Sequence, residues 1–110
     1  MKLVAFEPTT AITHFDSHGA TIGGIASCSG EARLSLLKVE AGGVVGMHEA
    51  ACPQLFLVID GSGWTRAGEG ERLALVKGEA AFWETGELHE SGSDVGLTAI
   101  VVEADSLELL

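Results

Sequence analysis

The sequence predicts an all-β fold, a barrel or a sandwich built from many short strands. Turn signals recur at short and fairly even spacing, and segments of strand length lie between them. Fifteen glycines against two prolines supply these turns without any collagen-like period. The clearest turn signals are DSHG at 16–19, DGSG at 60–63 and SGSD at 91–94.

The predicted strands lie between these turns at 32–40, 54–59, 72–76, 80–83 and 97–103. The segment EARLSLLKVEA at 31–41 contains good helix formers, but it ends in a double glycine and is surrounded by strands. We therefore predict a strand there. The tail ADSLELL at 104–110 fits a final strand or one helical turn.

The pair Asp60-Gly61 follows the apolar run QLFLVI and predicts a hairpin turn, because both residues tolerate the positive φ of primed turns. The run at 54–59 is then a strand whose side chains alternate between two faces. Both faces are largely apolar, so the strand should be covered on both sides. Gln54 begins one buried row, where its amide needs hydrogen-bonding partners.

Composition limits the range of functions. The chain of 110 residues predicts one domain over 1–110, and its formal net charge of −10 with six Lys and Arg excludes nucleic acid and anionic membranes as partners. No apolar run is long enough to cross a bilayer and no signal peptide begins the sequence, so we expect a cytoplasmic protein. Cys28 and Cys52 should remain thiols.

Two stretches of the chain place glycines and histidines at fixed spacing. The first contains Gly42, His48, Ala50, Gln54 and Gly61, and the second contains Gly78, Glu84, Gly86, His89 and Ser93. In order and spacing they resemble the two conserved motifs of the cupin family. The resemblance implies a double-stranded β-helix (jelly-roll) barrel of the small, single-domain cupin-2 type. It also implies a pocket at one mouth of the barrel, one divalent metal and, commonly, a dimer.

The motifs depart from the family pattern at four positions. The family has histidine at Ala50, glutamate at Gln54, proline at Glu84 and asparagine at Ser93. By this resemblance His48, Gln54 and His89 fall on three of the four metal-ligand positions. The fourth is Ala50, which cannot bind a metal.

Two imidazoles and an amide oxygen suit zinc, nickel, iron, manganese or copper, and three protein ligands leave positions open for water or substrate. All three donors are neutral, so a bound divalent ion would keep its full charge and favour an anionic ligand. The alternative is that His48 and His89 are ordinary pocket histidines hydrogen-bonded to Gln54, with no metal.

Four other residues each have both a functional and a purely structural interpretation. Glu84 is an acid or base at the pocket rim, or a turn carboxylate. Cys52 is a soft fourth ligand or a redox-sensitive thiol, or else a small buried hydrophobe. Trp64 and Trp83 wall the cavity or pack in the core.

The sequence therefore predicts a small-molecule-binding cupin that acts on a small anionic substrate as an isomerase, lyase or dioxygenase, with Glu84 as the proton shuttle. The alternative is a non-catalytic ligand-binding or sensing module whose metal site is weak or absent, favoured by Ala50 and Gln54. A homodimer is expected in either case, because pairing removes an exposed sheet edge.

Overall fold

The computed structural model describes residues 1–110 and contains ten β-strands and no helix. The all-β prediction is confirmed, and each of the five predicted strands lies within an observed strand or extends beyond it by one residue. The strands are β1 (Lys2–Ala5), β2 (Thr10–Ala11), β3 (Thr21–Ile22), β4 (Ala26–Val39), β5 (Val44–Glu49), β6 (Gln54–Ala67), β7 (Leu73–Val76), β8 (Glu79–Trp83), β9 (Leu88–Gly92) and β10 (Leu97–Leu109).

The strands form two antiparallel layers that share β6. The first layer, called sheet I, has the order β1-β8-β6-β10-β4 and uses the first half of β6. The second layer, sheet II, has the order β7-β6-β9-β5 and uses the second half. Strands β2 and β3 form a separate hairpin. One strand passing from sheet to sheet gives the rolled shape of a jelly-roll barrel.

The predicted hairpin turn at Asp60-Gly61 is wrong, because β6 continues through this pair to Ala67. Ile59 is an extra residue opposite β10, where Val58 pairs with Ala99 and Asp60 pairs with Thr98. Gly61 follows with a φ of 75°. The positive φ of Gly61 therefore belongs to a bulge at which β6 bends from one sheet into the other, and not to a hairpin turn.

The two faces of β6 are both buried, as its alternating apolar residues predict. Phe56 and Val58 face the barrel interior, where they pack in the same cluster as Trp83. Leu55 and Leu57 belong to a second cluster on the other face of sheet I. Full burial of each of these side chains stabilises the fold by about 1.5–3 kcal/mol.

The segment that resembles a helix, at 31–41, lies in β4 up to Val39, and the tail is also a strand. Strand β4 pairs with β10 along nearly its whole length, from Val39 opposite Leu97 to Ala26 opposite Leu109. Long-range pairing therefore overrides the helical propensity of the segment. The chain has no helix that is long and apolar enough to cross a membrane.

Candidate functional site

The fold brings His48 and His89 together. They are directly opposite each other in the β5–β9 pair, and their ring centroids lie 4.3 Å apart. His89 is buried, with 3% of its surface exposed, whereas His48 is exposed. The pair therefore lies at the boundary between the barrel interior and solvent.

Hydrogen bonds to backbone carbonyls set the orientation of both rings. The register of β5 shifts between Val45 and His48, and the carbonyl of Gly46 in this bulge accepts a bond from His48 Nδ1 at 2.7 Å. The carbonyl of Glu87 accepts a bond from His89 Nδ1 at 3.2 Å. A carbonyl oxygen only accepts, so Nδ1 carries the proton in both rings. In the neutral rings each Nε2 therefore keeps a free lone pair.

Burial keeps His89 in the neutral form that a metal ligand needs. Its pKa is held below the ordinary value chiefly by desolvation, and the positive charge that His48 can carry lowers it further. The hydrogen bond to the carbonyl of Glu87 and the charge of the Glu87 carboxylate oppose this shift without reversing it.

Trp83 forms the wall behind the histidines. Its ring stacks on His89 at 4.0 Å with an interplanar angle of 18°, and it meets Phe56 edge-on at 5.8 Å. The indole Nε1 is buried without a hydrogen-bond partner. Of the two tryptophans considered as cavity walls, only Trp83 lines this cavity. The guanidinium of Arg72 lies over the ring of Trp64 instead, 3.7 Å from the centroid of that ring.

The histidines open onto a cavity of about 60 Å³. Gln54 enters it from β6, where it is the cross-strand partner of Trp83. All three predicted metal ligands therefore line one cavity. The nine lining residues are Leu37, Val45, His48, Gln54, Phe56, Trp83, His89, Ser91 and Val101.

Ala50 is packed in the interior core cluster, 5% exposed, and contributes no donor. No group of three His, Cys, Asp or Glu side chains lies close enough to hold a metal. A metal at this site would therefore need the amide oxygen of Gln54 as its third protein ligand.

The structure does not bring Glu84 into the cavity. Its side chain is exposed and lines a separate depression together with Met1, Lys2, Phe82 and Glu87. Its backbone N–H donates to Glu87 Oε1 at 2.9 Å, and its carbonyl accepts from the backbone N–H of Glu87. This is the arrangement of a turn residue, which agrees with the second of the two interpretations of Glu84.

Cys52 also lies outside the cavity, so it cannot serve as a fourth ligand beside His48 and His89. Its Sγ lies 3.9 Å from Glu103 Oε2, in a second cavity of about 160 Å³. Cys52 lies in the loop before β6, whereas Gln54 is the first residue of β6 and lines the histidine cavity. The residues around Cys52 are Glu31, Arg33, Glu103, Ala104 and Asp105.

Ser91 is a lining residue that the motif reasoning missed. It is 3% exposed and its Oγ donates to Thr65 Oγ1 at 3.2 Å. Because side chains alternate along a strand, a residue two positions after His89 had to face the same side. The spacing within β9 could therefore have identified it.

No protein-family model and no curated protein matches this sequence. Solved structures do match. A cupin-like protein from Thermotoga maritima aligns with a TM-score of 0.64 at 19% identity, over 72% of this chain and 64% of that one. A cupin-2 domain protein from Shewanella frigidimarina aligns with a TM-score of 0.59 at 20% identity, over 82% of this chain and 84% of that one. The chain has a cupin fold.

A third structure with this cupin fold is an enzyme. The DMSP lyase DddQ from Ruegeria pomeroyi aligns with a TM-score of 0.63 at 17% identity. The alignment covers 74% of this chain but only 44% of the lyase. At such identities the similarity extends to the fold alone, and function has to be argued from the residues of the site.

Proposed function

We propose that this cupin binds one divalent metal through His48, His89 and Gln54 and takes a small anionic molecule as its ligand. The observation that supports this most directly is the hydrogen bonding of the two histidines. Each Nδ1–H donates to a backbone carbonyl, which leaves both Nε2 lone pairs available, and the centroids of the two rings lie 4.3 Å apart.

The donor set fits a divalent ion. Metal-binding histidines characteristically donate their second ring N–H to a carbonyl or a carboxylate, which fixes the tautomer and the ring orientation. Two imidazoles and one amide oxygen are acceptable to zinc, nickel, iron, manganese and copper alike, so the donors do not distinguish among these metals.

The charge of the site favours an anion. His48, His89 and Gln54 are all neutral donors, so they would leave both positive charges of a bound ion uncompensated. When bound, such an ion supplies Lewis-acid polarisation of a ligand oxygen.

The size of the site restricts the ligand. A cavity of about 60 Å³ is far smaller than the roughly 300–1,000 Å³ of pockets for drug-sized molecules. The walls from Phe56, Trp83 and Val101 are apolar. The substrate class that fits best is therefore an anion of a few heavy atoms, such as a small carboxylate.

Isomerases, lyases and dioxygenases each include enzymes that act on small oxygen-rich anions, and one solved structure with this fold is a lyase. Glu84 is too far outside the cavity lining to be assigned the proton transfer. The polar side chains available to a bound molecule are those of His48, Gln54, His89 and Ser91.

A second candidate is metal-free binding of the same class of ligand, without catalysis. It is favoured by the small number of metal-binding side chains, since no three His, Cys, Asp or Glu residues cluster. In this case the neutral imidazoles and the Gln54 amide would hold the ligand by hydrogen bonds alone.

Elemental analysis of untagged protein tests the first candidate. We expect about one equivalent of a divalent metal in the wild type, or uptake of one equivalent of added zinc, and loss of both in His89→Ala. His18→Ala, which removes an exposed histidine far from the motifs, is the control and should bind normally. A wild type that is metal-free and takes up no added ion refutes the metal site. Thermal stabilisation by acetate without metal would then support the second candidate.

A further inference from the structure

The indole N–H of Trp83 is an unpaired hydrogen-bond donor in the wall of the histidine cavity. Trp83 is 1% exposed, and its Nε1 is the only buried side-chain nitrogen or oxygen atom of the chain that has no hydrogen-bond partner. Buried polar groups are nearly always paired, because an unpaired one loses its hydrogen bonds to water without replacement. An acceptor from outside the chain would remove this cost.

The aromatic neighbours of Trp83 cannot accept this hydrogen. The N–H lies in the plane of the indole, and His89 stacks on that plane with an interplanar angle of 18° and ring centroids 4.0 Å apart. The lone pair of its Nε2 lies in a nearly parallel plane and is therefore not in line with the N–H. Phe56 meets the indole edge-on and has no lone pair. The indole also lines the histidine cavity, however, and a ligand that enters there can bring an acceptor.

Most of the other donors around this cavity are already used. The Nδ1–H groups of His48 and His89 donate to backbone carbonyls. The hydroxyl of Ser91 donates to Thr65 Oγ1. Apart from the indole, the side chain that still offers N–H groups to the cavity is the half-buried amide of Gln54. An anion in the cavity therefore finds few donors, and the indole is the one that is fully buried.

We propose that Trp83 Nε1 donates a hydrogen bond to one oxygen of the bound ligand and thereby makes the site selective for carboxylates over monatomic anions. A carboxylate has one oxygen for the histidine side of the cavity and a second for the indole. A hydrogen bond to a charged oxygen is stronger than one to a neutral oxygen. A ligand that displaces water from the indole without offering an acceptor leaves the N–H unpaired and binds less tightly. The inference rests on the proposed function and adds to it the kind of anion that is selected.

Gln54 is the alternative acceptor within the chain. It lies opposite Trp83 in the β6–β8 pair, although its amide oxygen forms no hydrogen bond with Nε1 in the structure. A rotation of this amide would pair the N–H in the absence of any ligand. The state of the N–H without ligand, and its dependence on Gln54, distinguish the two acceptors.

Nuclear magnetic resonance of the indole N–H tests the hydrogen bond directly. Protein labelled with ¹⁵N-tryptophan gives two indole resonances, from Trp64 and Trp83, and Trp64→Phe assigns them. In the zinc-loaded protein we expect acetate to move the Trp83 proton downfield, with saturation at the Kd that calorimetry gives for acetate. The Trp64 resonance is the internal control and should not move, because Trp64 does not line the cavity.

Each failure of this experiment has its own meaning. Acetate that binds by calorimetry without moving the Trp83 resonance overturns the inference and leaves the proposed function intact. A downfield position that is present before acetate is added and is lost in Gln54→Leu identifies Gln54 as the acceptor, and it also overturns the inference. A protein that binds neither zinc nor acetate refutes the proposed function, and the inference with it.

Affinity tests the selectivity. Replacement of Trp83 by benzothienylalanine puts a sulfur atom in place of the N–H and keeps the fused ring that stacks on His89. We expect the zinc-loaded protein to lose roughly tenfold or more in acetate affinity. Its affinity for chloride, which has no second atom to reach the indole, should change much less. The same replacement at Trp64 is the matched control and should alter neither affinity, and circular dichroism checks that both variants are folded. Equal losses for acetate and chloride, or no loss for acetate, refute the role of the N–H.

Discussion

His48 and His89 are directly opposed on neighbouring antiparallel strands, with ring centroids 4.3 Å apart and ring planes at 58°. Each ring is also fixed by its own backbone carbonyl. The two donors are therefore arranged before any ligand binds, and little side-chain entropy remains to be lost on binding. At the proposed metal site, this preorganisation would offset part of the affinity lost because Ala50 supplies no donor.

Gln54→Glu should strengthen metal binding. The substitution keeps the size of the side chain and adds one negative charge to a neutral donor set, so we expect at least about a tenfold decrease in the Kd for zinc. Acetate binding to the metal-loaded protein should weaken, because the charge that attracts it is partly cancelled. Titration calorimetry measures both. Val95→Glu adds the same charge at an exposed site, so it should change neither the Kd for zinc nor the binding of acetate. An unchanged Kd for zinc in Gln54→Glu would exclude Gln54 as a ligand.

Trp83 should report metal binding through its fluorescence. Its ring stacks on His89 at 4.0 Å, so a copper ion bound to that imidazole would quench the indole efficiently. We expect saturable quenching by Cu²⁺ in Trp64→Phe, which retains only Trp83. In Trp83→Phe, which retains only Trp64, the emission should be much less affected. Quenching that survives His89→Gln would place the copper elsewhere.

Burial of His89 should make the metal-free fold less stable in acid. Its pKa in the folded chain is held below the ordinary value of 6.5, chiefly by desolvation, so the unfolded chain binds this proton more readily. The contribution is fully present above pH 6.5 and is lost as the pH falls toward the pKa of the folded state. Urea unfolding of chelator-treated protein between pH 5 and 8 should show a shallower pH dependence for His89→Gln than for the wild type. His18→Gln serves as the control, and equal slopes for all three proteins would contradict the burial of His89 as a neutral ring.

The lining of the cavity could be predicted from the sequence because it follows from the alternation of side chains along a strand and from the positions of the two motifs. Alternation along 54–59 places Gln54 and Phe56 on one face, and the resemblance to the two cupin motifs implies that His48 and His89 meet in the barrel. Strand alternation is a local property, so one correctly assigned strand orients every side chain in it. For this reason the three predicted ligands reach one cavity even though the sequence lacks two of the usual donors.

Loop positions and strand ends could not be predicted in the same way. Asp60-Gly61 has the composition of a hairpin turn, but the same positive φ serves a bend within a continuous strand, and only the pairing with β10 distinguishes the two. Glu84 and Cys52 adjoin site strands in sequence, yet the paths of their loops direct them to other depressions. Proximity in sequence does not determine the direction of a side chain outside regular structure.

Cys52 should be a slow thiol whose reactivity depends on Glu103. Burial raises the pKa of Cys52, and the negative charge of Glu103 raises it further. In a Cys28→Ser background, Glu103→Gln removes this charge at constant size, so alkylation by iodoacetamide at pH 8 should be at least about twofold faster, because the thiolate is the reactive form. Glu31→Gln changes another carboxylate of the same cavity and should have a much smaller effect. Equal rates in the two variants would show that Glu103 does not control the thiol.

Gly61 should tolerate substitution far less than Gly42, although both have a positive φ, 75° and 81° respectively. An alanine at Gly42 meets no atom within 4 Å, so it should cost only about 1–2 kcal/mol of backbone strain. At Gly61 a Cβ would lie 2.2 Å from the carbonyl oxygen of Gly96, which belongs to the backbone and cannot move aside easily. Gly61→Ala should therefore cost about 1–3 kcal/mol more than Gly42→Ala, as measured by urea unfolding. Equal losses would show that the two strands do not approach closely at the bend, and the continuous path of β6 between the sheets would then need revision.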